Sequence, residues 1–359
     1  MASARERARC RERLERLSES RLDCDSLRRE AVADLQRVIG FDRWCWPLAD
    51  PETLLPASGL ALHDYVAAVS RSLELEYSTD DFAAKHVLAR RANAAARMSA
   101  ETGGDLSRSP RWDEAMRPVG IGDVAAVACR DALGCWGWIE AYRDRSDHSF
   151  EDEDLELLAS IAPSLGSALR RTMYLDGSSG SAEPHGPGVI VLDRALTPIS
   201  STAAARSWID SFPDAPLLAA FDMLPAVIYP AAATARTGTS GAGTHAIVQA
   251  VDRRWVMIEA AKLEGHDGGQ IAVTLRAATA AETFKVLCRA YALSERERQV
   301  VAALIAGLDT RAITQRLFIS RYTVQDHLKS VFRKTGARSR RELLARFSGA
   351  NATTLTARG

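Results

Sequence analysis

The clearest alternation of apolar and polar positions lies near the end of the chain. Val324, Leu328, Val331 and Phe332 fall on one side of a helix of about 3.6 residues per turn, and Tyr322, Gln325, Asp326, Lys329 and Arg333 fall on the other. Such a helix packs inward on its first face and presents the second. Capping signals frame it. Ser294 with Glu297, and Ser339 with Glu342, spell S-x-x-E, in which hydroxyl and carboxylate satisfy unpaired amides at a helix start. Gly307 ends a first helix, Asp309 caps a second whose Ile313 and Leu317 face inward, and Ser320 caps the third. The short turn Phe318-Ile319-Ser320-Arg321 joins the second helix to the third. The pattern predicts an all-α four-helix unit that contains a helix-turn-helix, with the third helix as the groove reader.

Upstream, both periods alternate. Residues Leu27 to Ile39, and about Leu60 to Leu75, carry helical spacing. Val124 to Cys129 and Cys135 to Tyr142 read as strands around the short connection Asp131-Ala-Leu-Gly134, a hairpin. Phe150 to Leu155 opens a helix reaching about Met173, with its acidic residues in the first turn, where the helix dipole favours them. After a run of breakers from Asp176 to Pro187 come strands Gly188 to Asp193 and Leu196 to Ile199 and a helix from Ala203 to Ile209. Pro225 and Pro230 argue against a helix over Leu224 to Thr234. Strands follow at Thr244 to Ala250, Trp255 to Leu263 and Gln270 to Arg276, and then a helix from Ala281 to Tyr291 with Phe284, Leu287, Cys288 and Tyr291 on one side. A helix this short needs a partner surface, expected on the sensor part or on a second chain.

The run Leu293-Ser-Glu-Arg-Glu297, then Gly307-Leu308, Leu317-Phe-Ile-Ser320, Thr323-Val324, His327 and Lys334 resembles the LuxR-type DNA-binding domain. The resemblance implies binding to double-stranded DNA. It places Gln325, Asp326 and Lys329 near base edges and Ser320, Arg321, Thr323, His327 and Arg333 near phosphates, with Tyr322 and Lys334 also counted in the DNA-binding set. Two departures stand out. Thr310-Arg-Ala-Ile-Thr314 replaces the usual Asn-Lys-Glu-Ile-Ala, so Ala312 stands where a capping glutamate would contribute roughly 1 kcal/mol. Gln325 and Asp326 stand where relatives favour a basic residue, which changes the bases read: by geometry Gln suits adenine, Lys guanine and a carboxylate the cytosine amino group.

Residues 1–174 resemble a GAF sensory domain through Val38-Ile-Gly40 into Phe41-Asp42, and through Gly137-Trp-Ile139 ahead of Phe150 to Leu155. Residues 188–278 resemble a PAS domain through Val189-Ile-Val-Leu-Asp193 and the order of strands. These likenesses imply α+β antiparallel sheets with helices, and either a small-molecule pocket or a module that only dimerises or binds a partner.

Charge supports a division of labour. The chain as a whole is formally neutral. Residues 281–359 hold 15 Lys and Arg against 6 Asp and Glu, a net of +9, and the remainder carries −9. A basic end has the footprint for phosphate, whereas an acidic remainder does not adhere to it. The expected division is a GAF-like domain over 1–174, a flexible linker over 175–187, a PAS-like domain over 188–278, a coupling helix over 279–292, a LuxR-type helix-turn-helix over 293–348 and a disordered tail over 349–359.

The remaining chemistry is sparse. Trp44 with Trp46, and Trp136 with Trp138, alternate so that each pair shares a strand face and could line a pocket for a planar ligand, although core packing is the commoner use of such residues. The six cysteines, 10, 24, 45, 129, 135 and 288, form no C-x-x-C pair and no zinc spacing; Cys129 and Cys135 flank the hairpin connection closely enough for a disulfide, although buried unpaired thiols are the expected state, and His63 and His86 have no companion at a ligand spacing. There is no phosphate-binding G-x-x-x-x-G-K-[ST] loop and no nucleophile, base and acid set, so no catalytic or metal residues are assigned and no cofactor is named. No apolar run approaches the length of a membrane span, and a secretory signal is absent, which implies a cytoplasmic protein. The reading is a DNA-binding transcription regulator, not an enzyme, acting as a homodimer and responding to a small molecule or partner. The alternatives are sensor folds that only dimerise, and a ligand-processing enzyme tethered to DNA.

Overall fold

The computed structural model describes residues 2–59, 66–175, 186–238, 243–264 and 269–348. The start of the helix expected from Leu60, His63, most of the expected linker and the tail lie outside the described residues. The chain falls into two compact units. Met1–Met173, Pro184–Val251 and Trp255–Ala277 form the first, and Tyr174–Glu183, Asp252–Arg254 and Ala278–Gly359 form the second.

The first unit opens with α1 (Ala4–Ser18), started by a reciprocal Ser3 and Glu6 box, and α2 (Cys24–Ile39), capped by Asp23. Strands β1 (Arg43–Cys45), β2 (Leu48–Ala49) and β3 (Pro56–Ser58) precede helices α3 (Val66–Ser78) and α4 (Lys85–Leu88). Then come β4 (Ala95–Arg97), α5 (Met98–Glu101), the long hairpin β5 (Ile121–Asp131) and β6 (Gly134–Asp144), and α6 (Asp152–Leu175). Among the described residues the sheet runs β3-β2-β6-β5-β4, with β1 also on β6, and every pairing is antiparallel. Helix α6 lies directly on the hairpin. A Cβ at Gly166 would stand 2.7 Å from the Arg130 backbone, so only glycine allows the approach.

A second antiparallel sheet, β8-β7-β11-β10-β9, is built from β7 (Gly188–Leu192), β8 (Pro198–Ser201), β9 (His245–Gln249), β10 (Trp255–Lys262) and β11 (Ile271–Ala277). Helices α7 (Ala203–Ile209), α8 (Ala215–Ala219) and α9 (Ile228–Thr237) fill the long connection. The doubt that Pro230 cast on α9 does not hold. Pro230 sits in the first turn, where backbone N–H groups have no partner inside a helix, so its missing donor costs nothing.

The two sheets share one unit because α3 packs on α9. Tyr77 of α3 belongs to the same apolar cluster as Ile228, Ala231 and Val256. Polar links reinforce the seam: Glu74 accepts from Arg236 at 2.6 Å, Asp50 accepts the Ile247 N–H at 2.8 Å, and Thr53 O accepts the Gly243 N–H at 3.1 Å.

The second unit is helical: α10 (Ala280–Ala290), α11 (Glu295–Ile305), α12 (Thr310–Leu317), α13 (Arg321–Thr335) and α14 (Arg340–Ser348). Helix α10 starts at a Thr279 and Glu282 box. Its aromatic face finds a cover within this unit, where Phe284 and Tyr291 lie 5.6 and 5.9 Å, ring to ring, from Phe347 of α14. Phe284, expected to dock on a sensor surface or second chain, meets Phe347 of α14 and stays half-buried. Among the described residues no helix is long and apolar enough to cross a membrane.

Candidate nucleic-acid interface and the interior of the first unit

The helix starts behave largely as their sequences dictate. Ser294 and Glu297 form the full reciprocal box. Asp309 accepts from the Ala312 N–H at 2.7 Å with no return bond, because Ala312 has none to give. Ser339 accepts from the Glu342 N–H at 3.1 Å, but Glu342 turns its carboxylate to the Arg338 N–H at 2.8 Å, leaving that box half made. Ser320 accepts from the Thr323 N–H at 3.1 Å and starts α13.

Val324, Leu328 and Val331 are buried, and Tyr322, Gln325, Asp326, Lys329 and Arg333 are exposed, so α13 turns its polar face outward. Arg321 is exposed, and Thr323 and His327 are half-buried beside that face. Lys329 and Asp326 stand 3.8 Å apart in water, a weak pair that a base edge can displace. Ser320 and Thr323 bring their hydroxyls to 2.9 Å at the start of the helix.

Lys334, expected in the DNA set, is engaged inside the unit. Its ammonium donates to Glu297 Oε2 at 2.6 Å and to Ala292 O at 2.8 Å, tying the end of α13 to the start of α11. Burial of Glu297 opposes its charge, but bonds from Lys334, Ser330 and the Ser294 amide outweigh it and hold the carboxyl down to about 2. Lys334 is an internal strut. The motif placed it correctly in sequence, yet only the fold shows a carboxylate waiting 37 residues away.

Trp136 and Trp138 do not form a same-face pair, and Trp46 lies beyond the end of β1. Register runs Cys129 to Gly137 and Arg130 to Cys135, one residue on β5 against two on β6, so Trp136 is the extra residue of a bulge. Trp138 Nε1 donates to Lys85 O at 2.9 Å on the α4 side, in a cluster with Cys135, Ala126 and Ala128. Trp136 Nε1 donates to Asp131 at 2.9 Å, and Arg170 of α6 holds the same carboxylate at 2.7 Å. The bulge thus sends the two rings to different sides of the sheet. Trp44 and Trp46 are buried as well.

On the α4 side lies a cluster that the sequence reading did not single out. Lys85 Nζ is 2.7 Å from both Glu76 and Glu140, and Arg111 meets Glu76 and Glu140 at 3.2 Å and Asp81 at 2.8 Å. All five are buried, and three acids against two bases leave a net of −1. Burial works against the Glu76 charge, but Lys85 and Arg111 hold its carboxyl down to about 2. Beside them the Tyr77 hydroxyl and His86 Nδ1 are buried with no hydrogen-bond partner among the described residues, their rings 5.5 Å apart. Desolvation pushes the Tyr77 phenol up and the His86 imidazole down, so both are neutral near pH 7. A clue existed in the sequence: Lys85 is a lysine set between Ala83-Ala84 and Val87-Leu88. All six cysteines are free, and burial pushes Cys45 and Cys135 up to about 12, which makes them poor nucleophiles.

The second unit is therefore a helix-turn-helix with an outward polar reader helix, on the basic end of the chain. Residues 291–347 match the family described as bacterial regulatory proteins, luxR family. No curated protein matches the chain. This match marks residues 291–347 as a LuxR-type DNA-binding domain, a segment found in transcription regulators.

Proposed function

We propose that the chain is a sequence-specific transcription regulator in which residues 1–277 sense a small molecule or partner and bias DNA binding by the C-terminal helix-turn-helix. The carrying observation is the capped α13 with its apolar face buried and its face of Tyr322, Gln325, Asp326, Lys329 and Arg333 in solvent. Gln325, Asp326 and Lys329 read base edges, while Ser320, Arg321, Thr323, His327 and Arg333 contact phosphates. A homodimer would place two such helices about one helical turn of DNA, roughly 34 Å, apart.

The sensing half of the reading is supported by the unpaired Tyr77 hydroxyl and His86 Nδ1, polar groups whose burial is unfavourable without a hydrogen-bonding partner. Those two neutral groups, rather than the bulge-separated Trp136 and Trp138, form the preferred ligand contact. Two antiparallel sheets with helices, which the sequence likens to GAF and PAS domains, are compatible with this role. The test is twofold: map genomic binding of the full chain, and identify by mass spectrometry the small molecules that co-purify with it. Retained wild-type binding to its sites after Lys329→Ala and Arg333→Ala would refute the DNA assignment. If Tyr77→Phe left DNA binding responsive to the identified molecule, with unchanged affinity for it, the sensing assignment would fail.

A further inference from the structure

Phe318 is held in an unfavourable place. It is the residue that ends α12, with φ 54° and ψ 45°, in the left-handed region where a side chain bearing Cβ is penalised. The same unit meets the same demand with glycine at Gly307 (φ 79°) and Gly336 (φ 68°), and with alanine, the smallest side chain, at Ala292 (φ 54°). At the turn of the helix-turn-helix it uses phenylalanine instead, and the ring is 94% exposed. The left-handed backbone costs free energy, and a ring left in water gains no burial inside the unit to offset it.

Its position explains what could return it. Phe318 stands two residues before Ser320, which caps the reader helix, and four before Tyr322, itself 84% exposed. Exposed Arg316 and Arg321 flank it. An apolar ring set among cations at the mouth of a groove-reading helix fits one occupant, a polyanion that also presents apolar carbon. A DNA duplex does so through its thymine methyl groups and deoxyribose faces.

We propose that Phe318 is a DNA-contacting residue, its ring packing on the apolar carbon surface of the duplex beside the segment read by Gln325, Asp326 and Lys329. This rests on the reading that α13 binds DNA. The contact neutralises no phosphate, so it contributes affinity without adding to the salt dependence.

The test uses the full chain and a duplex selected from a random library by the wild-type protein. Phe318→Gly should lose about tenfold in affinity, corresponding to about 1.4 kcal/mol. Its slope of log affinity against log salt should be unchanged, and amide exchange in α12 and α13 should be equal or slower. Phe318→Leu, which keeps apolar surface, should recover part of the loss. Replacing thymine by uracil in the duplex then tells the two carbon sources apart: a loss in wild type that is missing in Phe318→Gly marks methyl contact, and no loss marks the sugar. Unchanged affinity in Phe318→Gly overturns the proposal. So does unchanged affinity accompanied by lost regulation in cells, which would mark a protein partner instead. Arg333→Ala is the control for the underlying reading: if it too binds as wild type, the DNA assignment of α13 fails, and not only that of Phe318.

Discussion

Lys334 Nζ sits 2.6 Å from Glu297 Oε2, joining the C-terminal end of the reader helix to the first turn of α11. Glu297 is 4% exposed, so removing the ammonium leaves a buried carboxylate with its amide and hydroxyl donors alone. Lys334→Ala should cost the second unit about 2 kcal/mol, read as faster amide exchange across α11 and α13. Its DNA affinity should fall only as far as the folded fraction falls, with the salt slope intact. A slope shallower by about one would mean that Lys334 contacts phosphate after all.

The same pair sets an acid limit. Glu297 has a folded value near 2 against an ordinary 4.5, so its ionised form is favoured by folding. The stabilisation is complete above about pH 4.5, declines as pH falls from there, and is spent near pH 2. Pepsin cleavage within α11 to α13, followed by mass spectrometry, should rise across that window. Glu297→Gln should be cleaved readily throughout it. Identical profiles for the two proteins would rule out this linkage.

On the reader face the two cations should separate by kind. Lys329→Ala removes a base-edge donor, weakening selected sites by about 1 to 3 kcal/mol while sparing random duplex. Arg333→Ala should weaken selected and random duplex alike and reduce the salt slope by about one. Anisotropy titrations at several salt concentrations decide it, and equal behaviour of the two variants would contradict the assignment of roles.

The buried cluster around Lys85 predicts a large effect in the first unit. Lys85→Met leaves Glu76 and Glu140 with Arg111 as the one cation on them in this cluster and should destabilise by about 3 to 5 kcal/mol. All seven tryptophans precede residue 278, so intrinsic fluorescence during urea unfolding reports this unit alone. Amide exchange in α11 to α14 should not change. A midpoint equal to wild type would show that the cluster is not coupled to stability.

Local features were legible from the sequence in proportion to how local their physics is. Ser294, Asp309 and Ser320 cap helices in the structure as their spacing requires, because cap and amide lie within three residues. The polar face of α13 was equally readable, since helical periodicity alone fixes which side chains share it. Trp136 and Trp138 were misassigned to one face because strand alternation assumes an unbroken ladder, and the bulge against Arg130 breaks it. Pro230 looked disruptive because a proline's effect depends on where the helix begins, which sequence places only within a few residues.

What the sequence by itself determined is the output end: a basic four-helix segment, its capping residues and the outward face of Gln325, Asp326 and Lys329. Each follows from contacts within a few residues. The tertiary structure decided the rest. It bound Lys334 to Glu297, set Phe284 against Phe347 of α14, left Phe318 bare in a left-handed turn, and assembled Glu76, Asp81, Lys85, Arg111 and Glu140 into one buried network. Those outcomes depend on residues brought together across long stretches of chain, where close packing and the high free energy of an unpaired buried charge select partners that no local pattern records.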